Sequence, residues 1–395
     1  MLQKIKISNF RPIKQMDVEF SPLTIIYGKN GSGKSSLMYA PILLKQILLN
    51  PNQAFINLFN LPMVNLGIFE QVIHKHKKDN SISVLLDILD NEKITTYGIS
   101  LNPNSSHFHL EIKNELMEKL EISFPYQLNI NKPITLKNKE LRINWNGLTV
   151  QNAPQQNPAV EDYFQIIKDL NKALNFVKQI DIVPLKRGFF KPVYSQVSVT
   201  PNLLNEDEIA TSLMSDYGYI QGEISHYCET IFNKSFKTYT PLNSTSFYLR
   251  IVDRARNGLE TDIIHEGFGL NQVVFTLAKI LNQNNKFIFI EEPETHLHPS
   301  AQSKLIDTYI DIIKNKDKQI CISTHSEIMV STILSKISEG KISATDVQCY
   351  FVENEKDTMF EKQKINENGT IEGGLMAFME TELDNFKTFL GINGK

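Results

Sequence analysis

Residues 28–36 read Gly-Lys-Asn-Gly-Ser-Gly-Lys-Ser-Ser, with Gly28, Gly33, Lys34 and Ser35 at the spacing G-x-x-x-x-G-K-[ST] of a phosphate-binding loop. Glycines let successive backbone N–H groups turn inward and approach phosphate oxygens closely. The cradle would run through Lys29, Asn30, Gly31 and Ser32 to Ser36. Lys34 would reach the β- and γ-phosphates, and the Ser35 hydroxyl would sit on Mg²⁺. A chain of this length and average composition shows the four fixed positions by accident about once in a hundred times. The motif carries weight only between a strand and a helix. Here Leu23–Tyr27 is an apolar run of strand length, and Leu37-Met-Tyr-Ala opens an apolar helix whose first amides aim at the same anion.

Three further pieces lie in the second half of the chain. Lys286-Phe-Ile-Phe-Ile-Glu-Glu-Pro-Glu is a buried-strand pattern running straight into acids. Glu291 is placed to hold a Mg²⁺ shell through water, and Glu292 to orient and polarise a water for attack on a γ-phosphate. Gln319–Thr324 is another apolar strand, and it delivers His325 just past its carboxyl end, where open α/β sheets bind ligands. Gly267-Phe-Gly-Leu-Asn-Gln272 is a glycine-rich turn opening a helix. Its amides could bind phosphate, yet the site already has one cradle. The economical reading is that Gly267, Gly269, Asn271 and Gln272 cap the nucleotide of a second subunit.

The elements that must position these residues follow from periodicity. Leu2–Ile7 alternates apolar and charged residues as an edge-type strand, and Pro41 should bend or end the first stretch of the loop helix. Residues 81–152 carry short strands separated by turns, an antiparallel meander. The polar, proline-broken run 151–158 marks a lobe boundary. Helical spacing follows at Tyr163, Phe164, Ile166, Ile167, Leu170, Leu174 and Val177, then from about Glu206 to Phe232, and strands return at Phe247–Val252 and Thr261–Ile264. The expected organisation is an α/β fold with a mixed sheet and flanking helices. Residues 1–152 would form a lobe with the phosphate loop and an antiparallel β-subdomain, 153–245 a mainly helical insert, and 246–395 a second lobe with the remaining motifs.

Composition excludes several classes. The net charge of −3 and a charged fraction of 22% announce neither a nucleic-acid binder nor a disordered chain. Cys228, Cys321 and Cys349 are scattered, as in a reducing compartment, and give no zinc spacing. No apolar run approaches a membrane span, and Met1-Leu-Gln-Lys-Ile-Lys-Ile has no signal-peptide core, so the cytoplasm is the expected location and no membrane partner is expected.

With all four pieces in order, the chain resembles the ABC-type ATPases of the SMC/RecF/OLD group, and among them the OLD-like ATPases of prokaryotic antiviral defence. Residues 28–36 match Walker A, Phe287–Glu292 match Walker B, and Gly267–Gln272 resemble a degenerate signature in place of Leu-Ser-Gly-Gly-Gln. Pro293–Pro299 is similar to the run replacing the D-loop, Ser323–Ser326 to the H-loop, and Asn9-Phe-Arg11 to the opening strand and turn. The tail from Asn366 to Gly374, with the helix expected after it, is similar to one subfamily's C-terminal segment. Residues from about 90 to 245 match only at Asp181–Arg187.

The resemblance implies ATP and Mg²⁺ as ligands, Lys34, Glu292 and His325 as catalytic residues, Ser35 and Glu291 on the metal, and a head-to-head homodimer or higher oligomer. Glu291 stands where ABC proteins generally carry Asp, and Gln71 is the candidate for the Q-loop. Two jobs fit: an ATP-gated clamp, and a nucleotide-dependent scaffold holding a separately encoded nuclease or toxin. No nuclease of its own is expected, because the residues after His325 show neither an Asp-x-Asp set nor an HNH-type cluster. An SMC/RecF-like DNA clamp is the alternative, and nucleic acid stays open as a ligand. The atypical signature argues against a transporter motor, and the lack of a long heptad run against an SMC-like tether. His296 and His298 are read as interface or packing residues before metal ligands, His74–Lys78 as a solvated loop before a DNA contact, and Trp145 as core. Arg187 reads equally as a surface residue or as part of a site.

Overall fold

The computed structural model describes residues 1–62, 64–90, 92–113, 120–124, 131–136, 139–152, 161–215, 219–354 and 356–374. At its centre is a six-stranded sheet ordered Ile180–Val183, Phe287–Glu291, Gln319–Thr324, Leu23–Gly28, Val347–Asn354 and Thr358–Gln363. The first five strands are parallel and the last is antiparallel. Every residue of Phe287–Glu291, Gln319–Thr324 and Leu23–Gly28 is buried, as expected of parallel strands covered on both faces.

Alternate residues of this sheet feed two cores. Ile26, Phe287, Phe289, Cys321 and Tyr350 join the core that contains the loop helix Lys34–Leu49 and helix Glu161–Lys178. Ile25, Ile288, Ile290, Ile320 and Ile322 face helices Phe268–Leu281, Pro299–Lys316 and Glu327–Ser338. Register sets Glu291 beside Ser323 at the carboxyl ends of their strands, one strand away from the phosphate loop. All three cysteines are buried free thiols.

A second, antiparallel six-stranded sheet is ordered Ile13–Glu19, Leu2–Phe10, Ile82–Asp90, Lys93–Leu101, Ser106–Lys113 and Leu120–Phe124. The expected meander is here, but Lys139–Trp145 belongs to a separate three-stranded sheet with Asn131–Leu136 and Val150–Asn152. Trp145 is buried, as core.

Two local expectations are corrected. Leu2–Phe10 is not an edge strand, because it has a paired neighbour on each side. Alternation reports one buried face and says nothing of position in the sheet. The loop helix does not end at Pro41 but continues to Leu49. Thirteen of its residues are buried, and that packing outweighs the roughly 3 kcal/mol a mid-helix proline costs. In the expected helical stretch 206–232 the described residues Glu206–Ser215 and Tyr219–Phe232 are helical.

The described residues of the stretch 153–245 include three helices, yet its strand Ile180–Val183 is a member of the central sheet, paired in parallel with Phe287–Ile290. Tyr194–Ser195, Ser246–Asp253, Lys234–Tyr239 and Leu259–Asp262 form a further four-stranded sheet. The helix expected after Gly374 lies outside the described residues. Among the described residues no helix is long and apolar enough to cross a membrane.

Candidate nucleotide site

The phosphate loop joins strand Leu23–Gly28 to helix Lys34–Leu49. Gly28, Gly31 and Gly33 have φ of 150°, 75° and 106°, values that L side chains rarely adopt. Gly28 also has no room for a side chain, since a Cβ there would lie 2.2 Å from the Val352 carbonyl oxygen. Beneath Gly33 stands the buried Thr358 of the sheet's last strand, 2.9 Å from where a Cβ would be. The C-terminal hairpin is therefore the floor of the loop.

Lys34 Nζ sits inside the loop and donates to the carbonyls of Gly28 and Lys29, both at 2.9 Å. Burial lowers its pKa to about 8, against the opposing pull of Glu292 and Glu294. Ser32 and Ser36 are buried, and Lys29, Asn30 and Gly31 are exposed at the rim.

Across a cleft of about 860 Å³ the loop residues 30–36 face Glu292, Ser323 and His325, with Arg11 and Leu185 at the edge. His325 Nε2 is 3.5 Å from Glu292 Oε1. The His325 pKa is lowered, first by burial and then by Lys34, so the ring is neutral at pH 7 and above. Its backbone N–H donates to Glu294 Oε1 at 2.9 Å, and the same oxygen accepts from Thr324 Oγ1 at 2.7 Å.

Glu291 is buried, and its carboxylate accepts from Tyr39 Oη at 3.0 and 3.1 Å and from the Leu185 N–H at 3.1 Å. Tyr39 lies on the loop helix that Lys34 and Ser35 open, so its phenol ties that helix to the Glu291 carboxylate. A hydroxyl and a carboxylate are hard oxygen donors and fit Mg²⁺, which keeps most of its waters. Among the described residues no group of three or more His, Cys, Asp or Glu side chains makes a separate metal centre.

Glu292 leaves the strand with φ 42°, a left-handed conformation that costs a glutamate about 1–3 kcal/mol unless its surroundings hold it. Its N–H donates to the Ser323 carbonyl at 2.9 Å, and its own carbonyl accepts from the Thr295 N–H at 3.1 Å and Thr295 Oγ1 at 2.8 Å. Arg187, left even between surface and site, is buried and donates to the carbonyls of Glu291 and Glu292 at 2.6 and 2.8 Å.

The glycine-rich turn is placed differently. None of Gly267, Gly269, Asn271 and Gln272 lines the cleft. Gly267 and Phe268 are exposed, whereas Asn271 and Gln272 are buried. The Asn271 amide is turned inward within its own chain, accepting from the Phe189 N–H at 2.7 Å and donating to the Phe189 carbonyl at 2.9 Å. Gly269 permits contact with the following segment, since a Cβ would lie 2.5 Å from the His296 carbonyl oxygen. What the turn offers outward is backbone and the Phe268 ring.

Gln71 is not brought to the cleft; it is exposed, and its Oε1 accepts from the Ile68 N–H at 3.0 Å. His298 caps helix Pro299–Lys316, and His296 packs 5.7 Å from the Phe268 ring. His74 is buried, with Nδ1 2.9 Å from the Arg11 carbonyl oxygen and Nε2 3.4 Å from Asp357 Oδ1, whereas residues 75–78 of the basic run are exposed. Sequence spacing gives Tyr39 and Glu294 no role and leaves Arg187 even between surface and site. Their roles rest on contacts across more than thirty positions of chain, for which local spacing carries no signal.

The AAA ATPase domain family model matches residues 1–330. Among curated relatives, the OLD nuclease of Thermus scotoductus is 22% identical over 83% of this chain, which spans 59% of that protein's length. The ATP/GTP phosphatase of Helicobacter pylori is 21% identical, with 93% of this chain and 96% of the relative covered. A retron Vc95 probable ATPase of Vibrio cholerae is 21% identical over 85% of this chain and 72% of its own. Among solved structures, an SMC head bound to the C-winged helix domain of ScpA aligns with 91% of this chain and 97% of its own at 13% identity, with a TM-score of 0.50, a likeness of fold alone. The loop, the acidic strand end and the histidine thus meet on the fold of an SMC-head-like ABC ATPase, and the chain belongs to the AAA ATPase domain family.

Proposed function

We propose that the chain binds and hydrolyses ATP in this cleft and that two copies close on the nucleotide. The observation that carries the reading is the cleft itself, where the phosphate loop faces Glu292 and His325 held 3.5 Å apart. Ser35, with Glu291 acting through water, would hold Mg²⁺, which would supply charge neutralisation at the phosphate oxygens. Lys34 adds positive charge at the β- and γ-phosphates. The Glu292 carboxylate accepts a proton from the attacking water as its oxygen bonds the γ-phosphorus and the bridging bond to ADP breaks, giving ADP and phosphate. Neutral His325 donates a hydrogen bond to the γ-phosphoryl group. The exposed Gly267–Phe268 turn meets the second copy, offering backbone N–H groups.

The finer reading is an ATP gate for a separately encoded effector in antiviral defence. Its support is by name only: one relative is a nuclease and another is a retron's probable ATPase. Light scattering of wild type and Glu292→Gln with and without Mg-ATP tests the gate. Doubling of the variant's mass on adding ATP supports closure around nucleotide, whereas an ATP-independent mass with wild-type turnover in the variant removes it. Cleavage of plasmid DNA by the purified chain would overturn the separate effector.

A further inference from the structure

The segment 184–190 has a task that the cleft's own chemistry leaves unassigned. Arg187 is buried, and its three hydrogen bonds all go to main-chain carbonyls: Nη1 to Glu291 O at 2.6 Å and to Pro184 O at 3.1 Å, and Nη2 to Glu292 O at 2.8 Å. A buried guanidinium ordinarily faces a carboxylate, whereas this one is spent on fixing the path of the backbone where the acidic strand ends. Two residues later the Phe189 peptide is gripped at both ends by the Asn271 amide, at 2.7 and 2.9 Å, in the first turn of helix Phe268–Leu281. The same short segment is thus bonded at Arg187 to the Glu292 backbone and at Phe189 to the glycine-rich turn.

We propose that Arg187 is a positioning residue for Glu292, and that residues 187–189 form a strut carrying a displacement of the Gly267–Phe268 turn to the Glu292 backbone. The inference rests on the reading of Glu292 as the base. Glu292 sits at φ 42°, a conformation that must be held from outside. Its carbonyl is held by Thr295 from within the same turn and by Arg187 from outside it. The Gly267–Phe268 turn is exposed, so whatever lands on it, such as a second copy carrying nucleotide, pushes on the helix start. Asn271 cannot follow without pulling the Phe189 peptide along, and Phe189 is itself buried against Phe275 with ring centroids 5.5 Å apart. The planar fork of Arg187 then passes the shift to two consecutive carbonyls. A lysine ammonium is a point donor and cannot bridge them in the same way.

The test uses the full chain with Arg187→Lys and Asn271→Ala, singly and together. It reads ATP turnover, affinity for a fluorescent ATP analogue, melting temperature and amide exchange of the peptide spanning 288–297. The expected result for Arg187→Lys is a kcat lower by about 100-fold, the size of effect a small misplacement of a catalytic group produces. Nucleotide affinity should stay within roughly threefold of wild type. Asn271→Ala should lower kcat less, the double variant should be no worse than Arg187→Lys alone, and both single variants should exchange faster at 288–297. An unchanged kcat in a folded Arg187→Lys, additive losses in the double variant, or a loss of affinity in step with kcat would overturn the strut. If Arg187→Lys fails to fold, Asn271→Ala decides alone: faster exchange at 288–293, before the His296 contact with the turn, supports the strut, and unchanged exchange there removes it. Wild type without ATP turnover would remove the assignment of Glu292 as base, while the exchange arm would still judge the strut.

Discussion

The phosphate loop and the glycine-rich turn are both glycine-containing helix starts, yet the fold uses them in opposite ways. At the loop, Lys34 and Ser35 face an open cleft and the glycines serve the backbone path. At the turn, Asn271 and Gln272 are buried, Asn271 is consumed by Phe189, and Gly269 is small because the His296 carbonyl approaches it. The first presents side chains to a ligand, and the second presents backbone and turns the Asn271 amide inward to hold the molecule together. A sequence motif therefore reports where a helix start must be special, and the surroundings decide whether it serves ligand or scaffold.

The largest expected effects break the comparison at the loop. Lys34→Ala and Glu292→Gln should each lower kcat by at least about a thousandfold, within the range for lost phosphate clamps and bases, with melting temperatures near wild type. Turnover above a tenth of wild type in either would remove that residue from the chemistry. Gly269→Ala comes next and should cost about 2–3 kcal/mol of stability through overpacking against the His296 carbonyl, read as a lowered denaturation midpoint. Gly267→Ala, with open space around it, should keep that midpoint and reduce only the nucleotide-dependent association of two copies. Equal stability losses in both would show the turn to be purely structural.

A smaller effect is set by pH. Burial puts the Lys34 pKa at about 8, below its ordinary value, so the free protein loses this charge as pH rises through about 8. Nucleotide affinity should weaken by up to about tenfold between pH 7 and 9, and Lys34→Arg should bind with little pH dependence over that range. The sign for stability is the reverse. A lysine whose pKa is depressed on folding binds fewer protons folded than unfolded, so its cost to the fold is relieved as pH climbs from about 8 toward the unfolded value. The smallest effect is at Gln71, exposed and bonded to Ile68. Its alanine variant should turn over ATP within about twofold of wild type, as exposed substitutions away from a site usually do. A tenfold loss would restore it to the site.

Much was legible because phosphate chemistry dictates local patterns. A strand, a glycine loop and a lysine within a dozen residues must be contiguous to cradle phosphate, and a fully buried strand ending in acids must point at something. Residues 23–36, 286–292 and 319–325 therefore announced both their elements and their meeting place. Alternation at Leu2–Phe10 gave the buried face and missed the neighbours on both sides, since side-chain periodicity carries no record of pairing.

By itself, then, the amino-acid sequence determined the nucleotide class of the site, the strands that carry it and the residues Lys34, Ser35, Glu291, Glu292 and His325 that could do its chemistry. Only the tertiary structure decided that Tyr39 holds Glu291 from the loop helix, that Glu294 steadies His325, that Arg187 holds the exit of the acidic strand, and that Asn271 turns inward. These are bonds between residues distant in sequence, formed when buried polar groups must find partners wherever packing has put them. No spacing rule encodes them, because the partner is chosen by the fold and not by the chain's neighbourhood.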